Sequence, residues 1–311
     1  MSKFAASAIA CIAGSVLCAS LGPAGAADMV LKAPVEKLPA WINDYVPMFG
    51  DFELLQSHIS ATRGAFKIAE NESPRPVDRV YFNYNLFNNV DQGPLFGRQD
   101  VSRYTFGYEK TFFGGQASAG VRIPFFNNLT GDSENNFGDL SVLLKYALYN
   151  DQATGNLIST GLVVTLPTGT LPHRFDSLDG NAHSTMLQPF VGWQWNYGNL
   201  FVQGFHSIMV PTVSRDVSFL FNDIGVGYWL YRTNQNQFIT GIAPVIELHV
   251  NTPLTHSEDN GSINDRSVTN LVFGVNAQIY NQFNFGAALG VPLNGPRPYD
   301  VEAMAHLNFR F

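Results

Sequence analysis

One segment carries the residue types of a hydrolytic site: His256-Ser257-Glu258-Asp259-Asn260-Gly261, with Asn270 further on. An imidazole can take a hydroxyl proton only when both groups lie on the same side of the backbone. On a strand, that places the nucleophile two residues from the His. Here that position is Glu258, and the adjacent Ser257 would point to the opposite face. Asp, Asn, Gly and Ser at this density also read as a loop. No catalytic residue is therefore expected. Phosphate-loop, dinucleotide and H-E-x-x-H patterns are missing from the sequence. The seven histidines lack metal-ligand spacing, so neither a metal nor a cofactor is expected.

A second set of residues is defined by phase. Along alternating segments, one series is apolar and the other collects Arg103, Glu109, Arg122, Asp139, Lys145, Asp223, Glu247, His249, Glu302, His306 and Arg310. Acids and bases are mixed, so this face is no one-sign ion filter. Such charges are expected to pair across strands. The same phase of the middle segments carries Phe190, Phe205, Phe219 and Phe221, with Phe201 and Trp229 beside them. Rings on that face suit an apolar or aromatic solute better than an ion. A bulge that slipped the phase would turn them to the other face.

These residues need strands to position them. From Asp78 to the end the chain alternates with a period of two in about twelve segments, most near the length of a tilted membrane-spanning strand. Val80, Phe82, Tyr84 and Leu86 oppose Tyr81, Asn83 and Asn85. The closing segment opposes Val301, Ala303, Ala305, Leu307, Phe309 and Phe311 to Glu302, Met304, His306, Asn308 and Arg310. Connections alternate between long, such as 167–183, and tight, such as Phe113-Gly-Gly115 and Asn281-Gln282. A soluble sandwich has strands of about five or six residues and no such alternation of loops. The expected fold is all-β: a single transmembrane antiparallel up-and-down β-barrel of about twelve strands, with an N-terminal non-barrel segment. Long loops would lie outside the cell and tight turns in the periplasm.

The remainder of the chain agrees. Lys3, an apolar stretch and Ala24-Gly25-Ala26 form a signal-peptide pattern over 1–26, so export is expected. Both cysteines, Cys11 and Cys18, fall inside it. The net charge of −7 comes with no basic patch, so nucleic acid is not an expected partner. Charged residues make up 14% and aromatics 13%, and no later run is apolar enough for a helical span. Residues 27–76 are rich in proline, contain a helix-like piece at 52–59, and end in Glu70-Asn-Glu-Ser-Pro-Arg-Pro76. This segment reads either as a plug in the barrel mouth or as a periplasmic tail over its rim. Residues 77–311 make the barrel.

A strand that ends in Phe after alternating apolar residues resembles the closing strand of bacterial outer-membrane barrels. That resemblance implies an outer-membrane location in a Gram-negative cell and Phe309 and Phe311 as the assembly signal. It also implies membrane lipid, periplasmic chaperones and the barrel-assembly machinery as partners. Gly138-Asp-Leu-Ser-Val-Leu-Leu-Lys-Tyr146, followed by Thr160-Gly-Leu-Val-Val-Thr-Leu-Pro-Thr-Gly169, resembles the outer-membrane family linked to the meta-pathway of phenol degradation. That family is similar to the long-chain fatty-acid transporters. It implies passive uptake of small hydrophobic or aromatic solutes without catalysis. Two other readings are a non-transporting structural or surface barrel, and a hydrolase, because His256, Ser257 and Asn270 resemble the site of outer-membrane phospholipase.

Overall fold

The computed structural model describes residues 45–51, 53–57, 60–65, 67–91, 97–127, 135–169, 184–213, 217–233, 235, 237–255, 267–294 and 297–311. Twelve long strands follow one another with meander pairing: β1 (Arg79–Asp91), β2 (Arg98–Phe112), β3 (Ala117–Asn127), β4 (Ser141–Asn150), β5 (Leu157–Thr165) and β6 (Met186–Tyr197). They continue as β7 (Leu200–Pro211), β8 (Phe219–Tyr228), β9 (Ile239–Pro253), β10 (Val268–Ile279), β11 (Phe283–Pro292) and β12 (Val301–Arg310). Every pair is antiparallel. β12 closes on β1, from Val301 opposite Asn88 to Arg310 opposite Arg79. The result is a closed barrel, which leaves no spanning strand with an unpaired edge.

Alternation sets the two faces. Val80, Phe106, Leu144, Leu148, Ile224, Val226, Ile246, Phe273, Phe285, Leu289 and Leu307 form an exposed apolar outer band. Asn83, Asn85, Gln188, Gln203, Asn270, Asn276, Gln278, Asn284 and Asn308 are buried on the inner face. Apolar outside and polar inside is the arrangement of a barrel solvated by lipid. Tight turns join β2 to β3 and β6 to β7 with Gly114 and Gly198 at φ of 66° and 64°, a region only glycine enters without strain.

Two expectations are corrected. The 52–59 stretch includes a strand rather than a helix: Glu53–Ser57 pairs antiparallel with Ser60–Ala65. A helix that short is marginal in isolation, whereas a hairpin partner supplies a hydrogen-bonded ladder. β1 also runs to Asp91, well past the alternation that ends at Leu86. The register shifts between Phe87 and Val90, and Asn89 sits at φ 59°. This bulge breaks the period of two without ending the strand.

Residues 45–51 and 67–75 are buried against the inner face. The Met48 amide donates to the Glu72 carbonyl at 2.9 Å, tying the two pieces together. Gly50, at φ 77°, lets its backbone pass Glu70; a Cβ there would stand 2.7 Å from the Glu70 Cα. These pieces occupy the lumen, and we refer to them as the plug.

Closure can be checked by crosslinking, because Cys11 and Cys18 are the only native thiols. Phe82 and Leu307 face each other across β1 and β12 on the outer side. Phe82→Cys with Leu307→Cys should oxidise to an intramolecular disulfide. Phe82→Cys with Asn308→Cys, whose side chains point to opposite faces, should not.

Candidate functional site

The inner wall is divided by charge. Arg79, Arg103, Arg122 and Lys145 stand on β1, β2, β3 and β4, with Glu109 among them. Asp223 stands on β8, and Glu247 and His249 on β9. All are buried. A charge held away from water is tolerated only when paired and hydrogen-bonded. The plug supplies the partners for both sides.

On the basic side, the Glu72 carboxylate accepts from Arg79 at 2.8 Å, Arg122 at 2.8 Å and Lys145 at 2.7 Å. Glu70 accepts from Arg103 at 2.9 Å. Within the wall, Glu109 accepts from Arg79 at 2.9 Å and from Lys145 at 3.1 Å. Arg79 also donates to the Tyr45 hydroxyl and lies over the Tyr81 ring, 4.2 Å from its centre. Burial raises the Glu72 carboxyl, but Arg79, Lys145 and Arg122 outweigh it and hold the group at about 2.

On the acidic side, Lys67 donates to Asp223 at 2.8 Å, to Asn251 Oδ1 at 2.7 Å and to Asp51. Asn251 and Asn270 donate to the second oxygen of Asp51. His249 lies 2.8 Å from Asp223 and 3.0 Å from Glu247. The Phe49 and Gly50 amides donate to the Glu247 carboxylate at 2.9 and 3.2 Å. Asp51, Asp223 and His249 have ligand atoms close enough to hold a cation. The Lys67 ammonium already stands among these groups. Burial raises the Asp51 carboxyl, and Lys67 and His249 outweigh this to hold it at about 2.

Aromatic packing completes the fit. The Phe49 ring stacks on His306 with centroids 4.6 Å apart. It rests where Gly274 and Gly286 leave room: a Cβ at either would come within 2.4 or 2.8 Å of the ring. Phe201 and Trp229 cluster with Val46 and Phe49. Phe190 and Phe205 cluster with Met48, Ile68 and Ala69. Four of the six inward rings therefore meet the plug.

The other two form a cluster of wall residues, with the plug's Lys67 ammonium over the Phe221 ring, 5.1 Å from its centre. Phe219 and Phe221 stack with centroids 5.7 Å apart, among Met186, Met209 and Val217. A second group, Phe87, Val90, Val101, Phe126 and Tyr299, stands on strands β1 to β3 and beside β12. Both clusters lie at the long-loop end of the barrel, and neither includes a residue of 45–75.

Three sequence candidates sit elsewhere than in the charge network. Asp139 precedes β4 and accepts from the Gly169 amide at 2.9 Å, clipping the base of a long loop. Arg310 is half-buried at the tight-turn rim and donates to the Asn281 carbonyl at 2.5 Å. Glu302 accepts from Asn85 at 2.8 Å and from Tyr299 at 3.3 Å. Phe309 and Phe311 lie on the outer side near Phe283 and Tyr108, with centroids 4.9 and 6.2 Å apart. His256 and Ser257 lie outside the described residues. Asn270 points into the barrel and binds Asp51.

No protein-family model and no curated protein sequence matches the chain. Solved structures do. The crystal structure of the COG4313 outer membrane channel from Pseudomonas putida F1 aligns with a TM-score of 0.52 at 15% identity, covering 76% of this chain and 96% of that one. The NanC porin aligns with a TM-score of 0.49 at 9% identity, over 75% and 98%. At 15% identity the likeness to the COG4313 channel is one of fold, and it agrees with the closed twelve-strand barrel.

The ion pairs give two expectations. Lys67→Met leaves Asp51 and Asp223 buried without their ammonium and should destabilise the docked plug by about 3–5 kcal/mol. Adding Asp223→Asn should recover part of that. Asp51 and Glu72 are held below the ordinary carboxylate range, so their contribution is present above about pH 4 and fades as pH falls toward 2. A Met48→Cys thiol, buried in the wild-type packing, should stay unreactive to a soluble maleimide at neutral pH. It should become reactive in the Lys67→Met background, or after brief exposure to low pH.

Proposed function

We propose that the chain is a Gram-negative outer-membrane channel for passive uptake of small hydrophobic or aromatic solutes, closed at rest by its own N-terminal plug. The observation that carries this reading is the Phe219–Phe221 stack with Met186, Met209 and Val217. It is an inward apolar cluster at the long-loop end, buried while the plug is docked, with the plug's Lys67 ammonium over the Phe221 ring. Polarisable Met and Phe side chains gain from burying an apolar solute and offer nothing to a hydrated ion. The apolar outer band supports the membrane location, and the channel barrel of like fold supports the transport class. Deeper in the lumen, the plug's ion pairs stand between this cluster and the periplasmic end. Passage then needs the plug to move, as a gate held by breakable contacts.

A second reading is a barrel sealed permanently by its plug, and the number of buried plug-to-wall bonds favours it. Conductance separates the two. In planar bilayers the full chain should give low, intermittent conductance that rises when residues 29–70 are deleted. Uptake of a small aromatic compound into an otherwise impermeable strain should fall when Phe219 and Phe221 are both changed to Ser. A sealed barrel predicts no uptake in either form. A large steady conductance in the full chain, unaffected by the deletion, points to a general porin. Replacing His256 with Ala should leave lipid hydrolysis in detergent at background. An activity that disappears with that change restores the hydrolase reading.

A further inference from the structure

The Glu72 carboxylate sits in a ready-made anion clamp. Two guanidinium groups and one ammonium, from Arg79 on β1, Arg122 on β3 and Lys145 on β4, converge on its two oxygens at 2.7–2.8 Å. All three side chains belong to the barrel wall, whereas the carboxylate belongs to the plug. Tyr81 fixes Arg122 from the side, accepting from its Nε at 3.1 Å, and lies under Arg79. Glu109 pairs with Arg79 and Lys145 but lies on the same wall, so it leaves with neither solute nor plug. Tyr81 and Glu109 hold the clamp from the wall, and plug carbonyls of Asn71, Lys67 and Ser73 also accept from Arg79, Arg122 and Lys145; charge-assisted bonds of this kind are the stronger class. Wall charge is also polarised: the acidic groups of β8 and β9 stand apart, around Lys67.

We propose that this clamp is a binding site for a small organic carboxylate, which Glu72 mimics while the plug is docked. The inference rests on the channel reading above and narrows its solute: an apolar or aromatic body suited to the Phe219–Phe221 cluster, bearing one carboxylate. A solute of this kind replaces Glu72 bond for bond. On plug release the ligand then keeps Arg79, Arg122 and Lys145 paired with a carboxylate, while the Glu70–Arg103 pair must break separately. Binding and opening are coupled through one site, since solute and plug compete for the same three donors. A neutral solute gains nothing from the clamp. An inorganic halide meets the charge but lacks the paired oxygens.

Chemical rescue of the full-length protein tests the site. Glu72→Ala removes the resident carboxylate and leaves the wall intact. Its thermal midpoint in detergent, read by heat-modifiable mobility, should fall by several degrees in chloride. It should recover by at least half when propionate replaces chloride at equal ionic strength, with no recovery in propionamide. The wild type, whose clamp is occupied, should show no such gain. Glu72→Gln keeps the side-chain volume and carries the same comparison if the Ala form does not fold. Equal midpoints in propionate and chloride for both variants, or equal rescue by propionamide, overturns the proposal. Rescue in a barrel that never conducts leaves the site standing and removes the channel reading. Conduction without rescue does the reverse.

Discussion

The structure depends on one electrostatic constraint. A charge inside a barrel ringed by protein and lipid must find a partner, because its desolvation is never recovered otherwise. The wall alone does not satisfy it. Four cations and Glu109 stand on β1 to β4, and the acids Asp223 and Glu247 stand across the lumen. The plug brings Glu70 and Glu72 to the cations, and Lys67 and the Phe49 and Gly50 amides to the acids, where its own Asp51 is paired with the same Lys67. Complementary charge of this kind fixes register and orientation more than it adds raw stability. A plug turned end for end would set like charges together.

Shape follows from the same division. The wall opposite Phe49 is built from glycine, so a ring enters where most barrels would carry side chains of their own. Four inward aromatics then become the plug's packing partners, and their place in the sequence pattern does not by itself mark a solute path. The remaining two rings, Phe219 and Phe221, sit in a buried apolar cluster at the long-loop end, with Lys67 of the plug over Phe221. Side chains divide along the barrel axis: a buried apolar cluster at the long-loop end, then a charged network that the plug completes.

Much of the barrel was legible in the sequence because alternation is a local signal. Each of the twelve strands announced itself within its own ten or so residues. β1 was read short because the bulge at Asn88-Asn89 breaks the period while the ladder continues. The inward phase of Arg103, Glu109, Arg122, Lys145, Asp223, Glu247 and His249 was equally readable, but their partners were not. Lys67 meets Asp223, and Asp51 meets Asn270, across most of the chain's length, where no periodicity reports proximity. Asp51, Lys67, Glu70, Glu72 and Arg79 were missed for that reason. One signal pointed to a filled lumen: glycines at inward positions 225, 274 and 286, which leave room for Met48 and Phe49 of the plug. The 52–59 stretch misled because a helical period over so few residues cannot outweigh a strand partner just beyond it.

Amide hydrogen exchange at Phe49 and Gly50 tests the docked plug most directly, because both N–H groups are spent on the Glu247 carboxylate. In the folded barrel at neutral pH, these two amides should be protected to the level of the neighbouring β9 ladder. Glu247→Gln should lower that protection selectively while β9 stays protected. Rapid exchange of both amides in a barrel whose strands are protected would contradict a plug held by the charges of the lumen wall.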